Sequence, residues 1–99
     1  MEAPDEVIHQ SSRLRIVAAL NALAPREQME FGQLKALLAL TDGNLATHLA
    51  ALERAGYVDI SKDFAGRKPR TRVALTAKGR RALRAHVAYL RSVIDGVET

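Results

Sequence analysis

Thr41-Asp42-Gly43-Asn44-Leu45-Ala46-Thr47-His48-Leu49-Ala50-Ala51-Leu52-Glu53-Arg54-Ala55-Gly56 is the stretch on which the reading of this chain turns. Leu45, Leu49 and Leu52 repeat at i, i+4 and i+7, the spacing of a helix with one buried stripe. Gly43, Asn44, Thr47, His48 and Ala51 share the opposite side, which is small, polar and uncharged. Such a helix is built to lie against something other than its own protein.

The flanks define how this helix is held. Thr41 or Asp42 is suited to cap its start, and Gly56 offers the left-handed residue on which helices commonly stop. Just upstream, Gly32 opens a compact helix, about Gln33 to Leu38, with Leu34, Leu37 and Leu38 expected inward. The break over Leu40-Thr41-Asp42 is tight, so the two helices form a helix-turn-helix unit over about 32–56. Further upstream, Ser11 or Ser12 is expected to cap a first helix carrying Leu14, Val17, Ala18 and Leu20, ended by Pro25. Met29 to Phe31 can form only a very short strand. Residues 1–10 are expected to be frayed, with one turn near Pro4 and Asp5, and Val7 and Ile8 apolar enough to dock.

Downstream of Gly56 the period changes from 3.6 to 2. Val58 and Ile60 alternate in one segment and Val73 and Leu75 in another, around the turn Ala65-Gly66-Arg67-Lys68-Pro69. The result is a β-hairpin with a basic tip, about 57–75. Thr76 then caps a last helix, about 76–97, in which Leu83, Val87, Leu90, Ile94 and Val97 form a heptad seam that wants a partner helix. His86 falls within the same stripe.

The net charge of +4 is unevenly spread. Positions 64–94 hold nine Lys or Arg and no Asp or Glu, whereas the other 68 residues carry six basic against eleven acidic, a net of −5. A polyanionic partner is the simplest use of this asymmetry, with nucleic acid ahead of an anionic membrane. Ninety-nine residues read as a single domain, and the absence of cysteine excludes disulfides and thiolate metal sites. No apolar run approaches the ~18 residues of a membrane span, and the opening MEAPDEVIHQ lacks the pattern of a signal peptide. The expectation is a soluble cytoplasmic protein. His9, His48 and His86 lie on three different elements, so no catalytic or metal-binding cluster is expected; an enzyme is the least supported reading, and no cofactor is implied.

The order helix, short strand, helix, turn, helix, hairpin, helix resembles the winged helix-turn-helix fold of bacterial transcription regulators. Ser12-Arg13-Leu14-Arg15-Ile16-Val17-Ala18-Ala19-Leu20 looks like the first-helix signature of ArsR-type regulators. Leu49 to Val58 looks like the end of their recognition helix running into the wing, and Leu75-Thr76-Ala77-Lys78-Gly79-Arg80 is similar to the LTxxG element of MarR-type proteins. The wing Gly66-Arg67-Lys68-Pro69-Arg70-Thr71 is similar to the G-R-x-P-R-T wing of small stand-alone winged-helix regulators. Departures are also visible: there is no cysteine for an ArsR-type metal site, and MarR-type proteins are longer, with a D-x-R wing, whereas here Asp63 and Arg67 are separated by three residues.

This resemblance implies a mainly α fold with a small β-hairpin wing, and double-stranded DNA as the partner. The recognition helix would enter the major groove by its N-terminal half, placing Gly43, Asn44, Thr47, His48 and Ala51 near base edges. Arg67, Lys68, Arg70 and Arg72 of the wing would meet phosphates or a narrow minor groove, and Gln33 could hold a phosphate at the start of its helix. Leu83, His86, Val87, Leu90, Ile94 and Val97 would form the interface of a homodimer. The alternative is a winged-helix module that docks an acidic protein with the same surfaces. No effector ligand, operator sequence or direction of control is legible.

Overall fold

The computed structural model describes residues 3–97. Seven elements follow in chain order: α1 (Ser11–Asn21), β1 (Gln28–Glu30), α2 (Phe31–Leu38), α3 (Asp42–Arg54), β2 (Val58–Ala65), β3 (Lys68–Leu75) and α4 (Ala77–Val97). The mainly α winged-helix architecture expected from the sequence is what is observed. The strands form one antiparallel sheet in the order β1-β3-β2, with β3 central, so the short strand before α2 extends the hairpin rather than standing alone.

The core lies where α1, α2 and α3 converge on one face of the sheet. Ile16, Val17 and Leu20 of α1 meet Leu34 and Leu38 of α2, the three leucines of α3, and Val58, Val73 and Leu75 of the sheet. The α3 stripe is therefore core, as its spacing implies. Leu37 is not: it is 60% exposed. The buried side of α2 is set by Phe31, Leu34 and Leu38, and Leu37 sits about a quarter turn away from it.

Several boundaries differ from expectation, each for a local reason. Gln10, not a serine, caps α1, its side chain accepting the amide of Arg13 at 2.9 Å. Helix α1 ends at Asn21, before Pro25 can act, with i−3 bonds from Ala22 and Leu23 tightening the last turn. Pro25 instead belongs to a turn, Ala24 to Glu27, in which Arg26 adopts a positive φ of 69°. The arm before α1 is not frayed: Ile8 is fully buried, and Asp5 accepts the amides of Val7 and Ile8 at 2.9 and 3.0 Å.

Helix α3 begins as its sequence implies, with Thr41 Oγ1 accepting the Asn44 amide at 3.1 Å. It ends in a Schellman arrangement, the amides of Tyr57 and Gly56 returning to the carbonyls of Leu52 and Glu53, with Gly56 at φ 79°. Thr76 then joins three elements. Its hydroxyl donates to the Gly56 carbonyl at 2.7 Å and accepts the Gly79 amide at 3.0 Å, while its own amide donates to the Tyr57 carbonyl. The start of α4 is thus fastened to the end of α3.

Candidate nucleic-acid interface

Helix α3 presents Gly43, Asn44 and Thr47 to solvent, and among the described residues no side chain bonds the Asn44 amide group or the Thr47 hydroxyl. Ala51 is half-buried on the same side. His48 departs from expectation. It is half-buried, and its Nδ1 accepts from Arg13 Nε of α1 at 3.2 Å. Burial and the adjacent guanidinium both hold its pKa below the usual histidine value, so it is a neutral link between α1 and α3 with its Nδ1 already taken. Arg13 went unrecognised in the sequence because nothing local signals a contact 35 positions away.

Gln33 is also engaged. Its side-chain oxygen accepts the Glu30 amide at 3.1 Å, capping α2, which leaves only its amide nitrogen to meet a phosphate. In the last turn of α2, Lys35 pairs with Asp42 at 2.8 Å, bracing α2 against the first turn of α3.

The wing is narrower at its tip than expected. Ala65 pairs with Lys68, so the turn is only Gly66-Arg67, with Gly66 at φ 64°, and Lys68 and Pro69 belong to β3. A glycine at the first central position is the requirement of a type II′ hairpin turn. The register then divides the side chains into two faces. Ile60, Lys62 and Thr71 face α3 across an open groove of about 570 Å³, which Ala46, Ala50 and Glu53 line from the helix side. Asp63, Arg70 and Arg72 occupy the other face, as do Gln28 and Ser61, whose side chains bond each other.

On that face Asp63 takes both arginines. Arg70 Nε and Nη2 grip its two oxygens at 2.9 Å each, and Arg72 Nη2 reaches the second oxygen at 2.8 Å. The hydrogen bonds from Arg70, then the charges of both arginines, hold the Asp63 carboxyl below its ordinary pKa against the opposing effect of burial. Arg70 and Arg72, expected to meet solvent or phosphate, thus also share an internal carboxylate partner. Both are half-buried, turned away from α3 and neutralised in part by one carboxylate. Asp63 and Lys62 were the residues missed, though the alternation through Val58 and Ile60 carries the signal for Lys62. Among the described residues, Arg54, Lys62, Arg67 and Lys68 are exposed cations of α3 and the wing with no acceptor in the chain.

The last helix divides along its length. Leu83 and His86 are buried within the chain itself, His86 to 1% exposure, so they are not available to a partner. Val87 and Leu90 are half-buried, while Val93 and Ile94 are 46% and 60% exposed. The Val97 side chain lies outside what the structure describes. Twenty-one residues make a rod of ~32 Å, and residues 91–96 are all exposed, so the end of α4 runs clear of the body.

His86 does not stand apart from the other histidines, as the sequence led us to expect. Its Nδ1 accepts the Asp5 amide at 3.2 Å, its ring lies 5.5 Å from that of His9, and it stacks on Tyr89 at 5.8 Å. Burial, then His9, lowers its pKa, with Asp5 opposing. The Asp5 carboxylate also accepts the Tyr57 hydroxyl at 2.6 Å, and burial together with that carboxylate pushes Tyr57 up to about 12. This network fastens the N-terminal arm to α4 and to the base of the wing. Among the described residues no group of three or more His, Asp or Glu is placed to hold a metal ion, and no helix is long and apolar enough to cross a membrane.

Comparison with known proteins agrees with this architecture. Residues 13–94 match the family model described as winged helix DNA-binding domain. An uncharacterized protein of Methanocaldococcus jannaschii is 36% identical over 86 residues, covering 87% of this chain and 90% of that protein. The solved structure of a transcriptional regulator homologue from Pyrococcus horikoshii OT3 superposes with a TM-score of 0.84 at 35% identity, over 96% of this chain and 91% of the other. A PadR family transcriptional regulator from Eggerthella lenta gives a TM-score of 0.71 at 27% identity, over 93% and 85%. The chain belongs to the winged helix DNA-binding domain family, as a small winged-helix regulator.

Proposed function

We propose that this chain is a sequence-specific regulator that binds double-stranded DNA in the cytoplasm as a homodimer, acting by binding and not by catalysis. The observation that carries the reading is the pairing of an uncharged exposed face on α3 with unpaired cations at its end and along the neighbouring wing. Asn44 and Thr47 read base edges in the major groove, Asn being able to bond adenine in bidentate fashion, and Gly43 permits close backbone approach. Arg54, Lys62, Arg67 and Lys68 supply the phosphate contacts, which give affinity without direct sequence readout. Arg70 and Arg72 brace the wing through Asp63.

The dimer reading rests on α4. Val87, Leu90, Val93 and Ile94 continue one helical stripe that the body covers at its start and leaves open at its end. A second copy packed along that stripe would bury it and set two α3 helices at half-sites about one helical turn apart.

Fluorescence anisotropy with labelled duplexes tests the proposal. Binding should weaken steeply with salt, and Arg67→Ala and Lys68→Ala should each lower the slope of log K against log [salt] by about 1, whereas Arg70→Ala should leave it nearly unchanged. Asn44→Ala should cost about 1–3 kcal/mol at one base position and little elsewhere. Absence of salt-dependent binding to any duplex would overturn the reading. Capture of an acidic protein at physiological salt after nuclease treatment would replace it with a protein-docking module.

A further inference from the structure

Phe64 is the most exposed large apolar side chain among the described residues, at 68%, and it lies two residues before the wing turn. It takes no part in the hydrophobic core or in the half-buried layer around it. Its directly opposed partner on β3 is Pro69, and the next pair, Ala65 with Lys68, closes the hairpin. Phe64 therefore belongs to the sheet face that carries Val58, Ile60 and Lys62 and looks toward α3, not to the face held by Asp63.

Three features turn this exposed ring into a candidate contact. The first is rigidity: a two-residue turn and a proline, whose φ is fixed, hold the tip in one shape. The second is charge, because Lys62 shares the face of the Phe64–Pro69 pair, Arg67 sits in the adjoining turn and Lys68 precedes Pro69 on the opposite face, and among the described residues none of the three has an acceptor. An apolar pair rimmed by cations complements a polyanion with an apolar interior, which is the make-up of a DNA groove. The third is width, since a hairpin tip of two residues suits the narrow minor groove, where the potential is most negative.

We propose that Phe64, backed by Pro69, is a wedge that enters the minor groove beside the half-site read by α3 and partly unstacks one base step. Apolar side chains used in this way bend duplexes by roughly 20–90°, and flexible pyrimidine–purine steps yield most readily. The chain would then select a deformable step at the wing position without bonding either base. This inference rests on the DNA-binding reading above.

The absence of tryptophan from the chain makes the test direct. Phe64→Trp creates the sole indole, and titration with duplex selected by the wild-type protein should quench its emission and shield it from acrylamide. Phe64→Ala should nearly retain the wild-type melting temperature, because the ring takes no part in the core, yet bind that duplex about 5- to 150-fold more weakly, the range expected for one ring–base stack. Its salt slope should be unchanged, and the bend measured by energy transfer between the duplex ends should shrink. Phe64→Leu should restore part of both affinity and bend. If wild type binds the selected duplex but Phe64→Ala binds and bends it equally well, or the indole emission of Phe64→Trp is indifferent to DNA, the wedge is refuted while the DNA-binding reading stands. Failure of the wild-type protein to bind any duplex would refute the reading itself.

Discussion

Gly79 sits in the first turn of α4, and replacing it with alanine tests how tightly the last helix is seated on the end of α3. A Cβ built there falls inside contact distance of the Tyr57 carbonyl oxygen, 2.7 Å from Leu75 Cδ1 and 3.0 Å from the Tyr57 carbonyl carbon. The leucine methyl can swing aside, but the Tyr57 carbonyl is backbone and already accepts the Thr76 amide at 3.0 Å. The start of α4 and the Tyr57 backbone that follows α3 must therefore separate. Overpacking of this kind costs about 1–3 kcal/mol, and alanine recovers at most ~1 kcal/mol of helix propensity. The net expectation is a loss of about 1–2 kcal/mol, or roughly 5–15 °C in melting temperature for a domain of this size. Thermal denaturation followed by circular dichroism measures it, with Gly32→Ala as the control, since a Cβ at Gly32 meets nothing within 4 Å. Gly32→Ala should melt at or slightly above wild type. A Gly79→Ala protein as stable as wild type would show that α4 is not seated as closely as described, and the proposed path from α3 to α4 would lose its support.

Other perturbations probe the remaining joints. His86 has its folded pKa depressed below 6.5, so its contribution to stability is complete above that value and is lost as the pH falls through the folded pKa; denaturant midpoints should drop on acidification below 6.5, and drop less in His86→Phe, where only the similarly depressed His48 is left to contribute. The groups facing His86 are Asp5 and His9 of the arm and Tyr89 of its own helix, and of these Asp5 titrates lower, its own loss beginning only below 3.8. Asp63→Ala should free Arg70 and Arg72 and speed hydrogen exchange at the tip of β2–β3 without unfolding the core; unchanged exchange would remove the clamp. Ile94→Glu should convert a dimer to monomer in sedimentation analysis while leaving helix content intact, whereas an unaltered mass would exclude the open end of α4 from the interface.

What the sequence disclosed follows the range of the forces involved. Helix α3 was legible in full because its leucine stripe, its threonine cap and its glycine stop all lie within sixteen consecutive residues. The hairpin was legible for the same reason, since alternation is local, although the strands run closer to Gly66 than composition suggested. Long-range pairings left no such trace. Asp5 meets His86 across 81 positions and Tyr57 across 52, so an arm expected to fray is pinned, and a histidine expected at an interface is buried. The same limit applied to Arg13 and His48. In the wing, alternation correctly put Arg70 and Arg72 on one face but could not say that Asp63, seven and nine residues earlier, would occupy both. The exposed end of α4 extends the apolar stripe of its buried beginning, and sequence periodicity alone cannot locate where the body of the protein stops covering it.

The central claim, that α3 reads bases while a twofold pair of chains sets the spacing, is tested most directly by selecting bound sequences from a random duplex pool. The account predicts an inverted repeat whose half-sites are centred about 10 base pairs apart or a multiple of that, with one position lost in Asn44→Ala. A pool that emerges without a consensus, or a consensus without twofold symmetry that Asn44→Ala leaves unchanged, would contradict it.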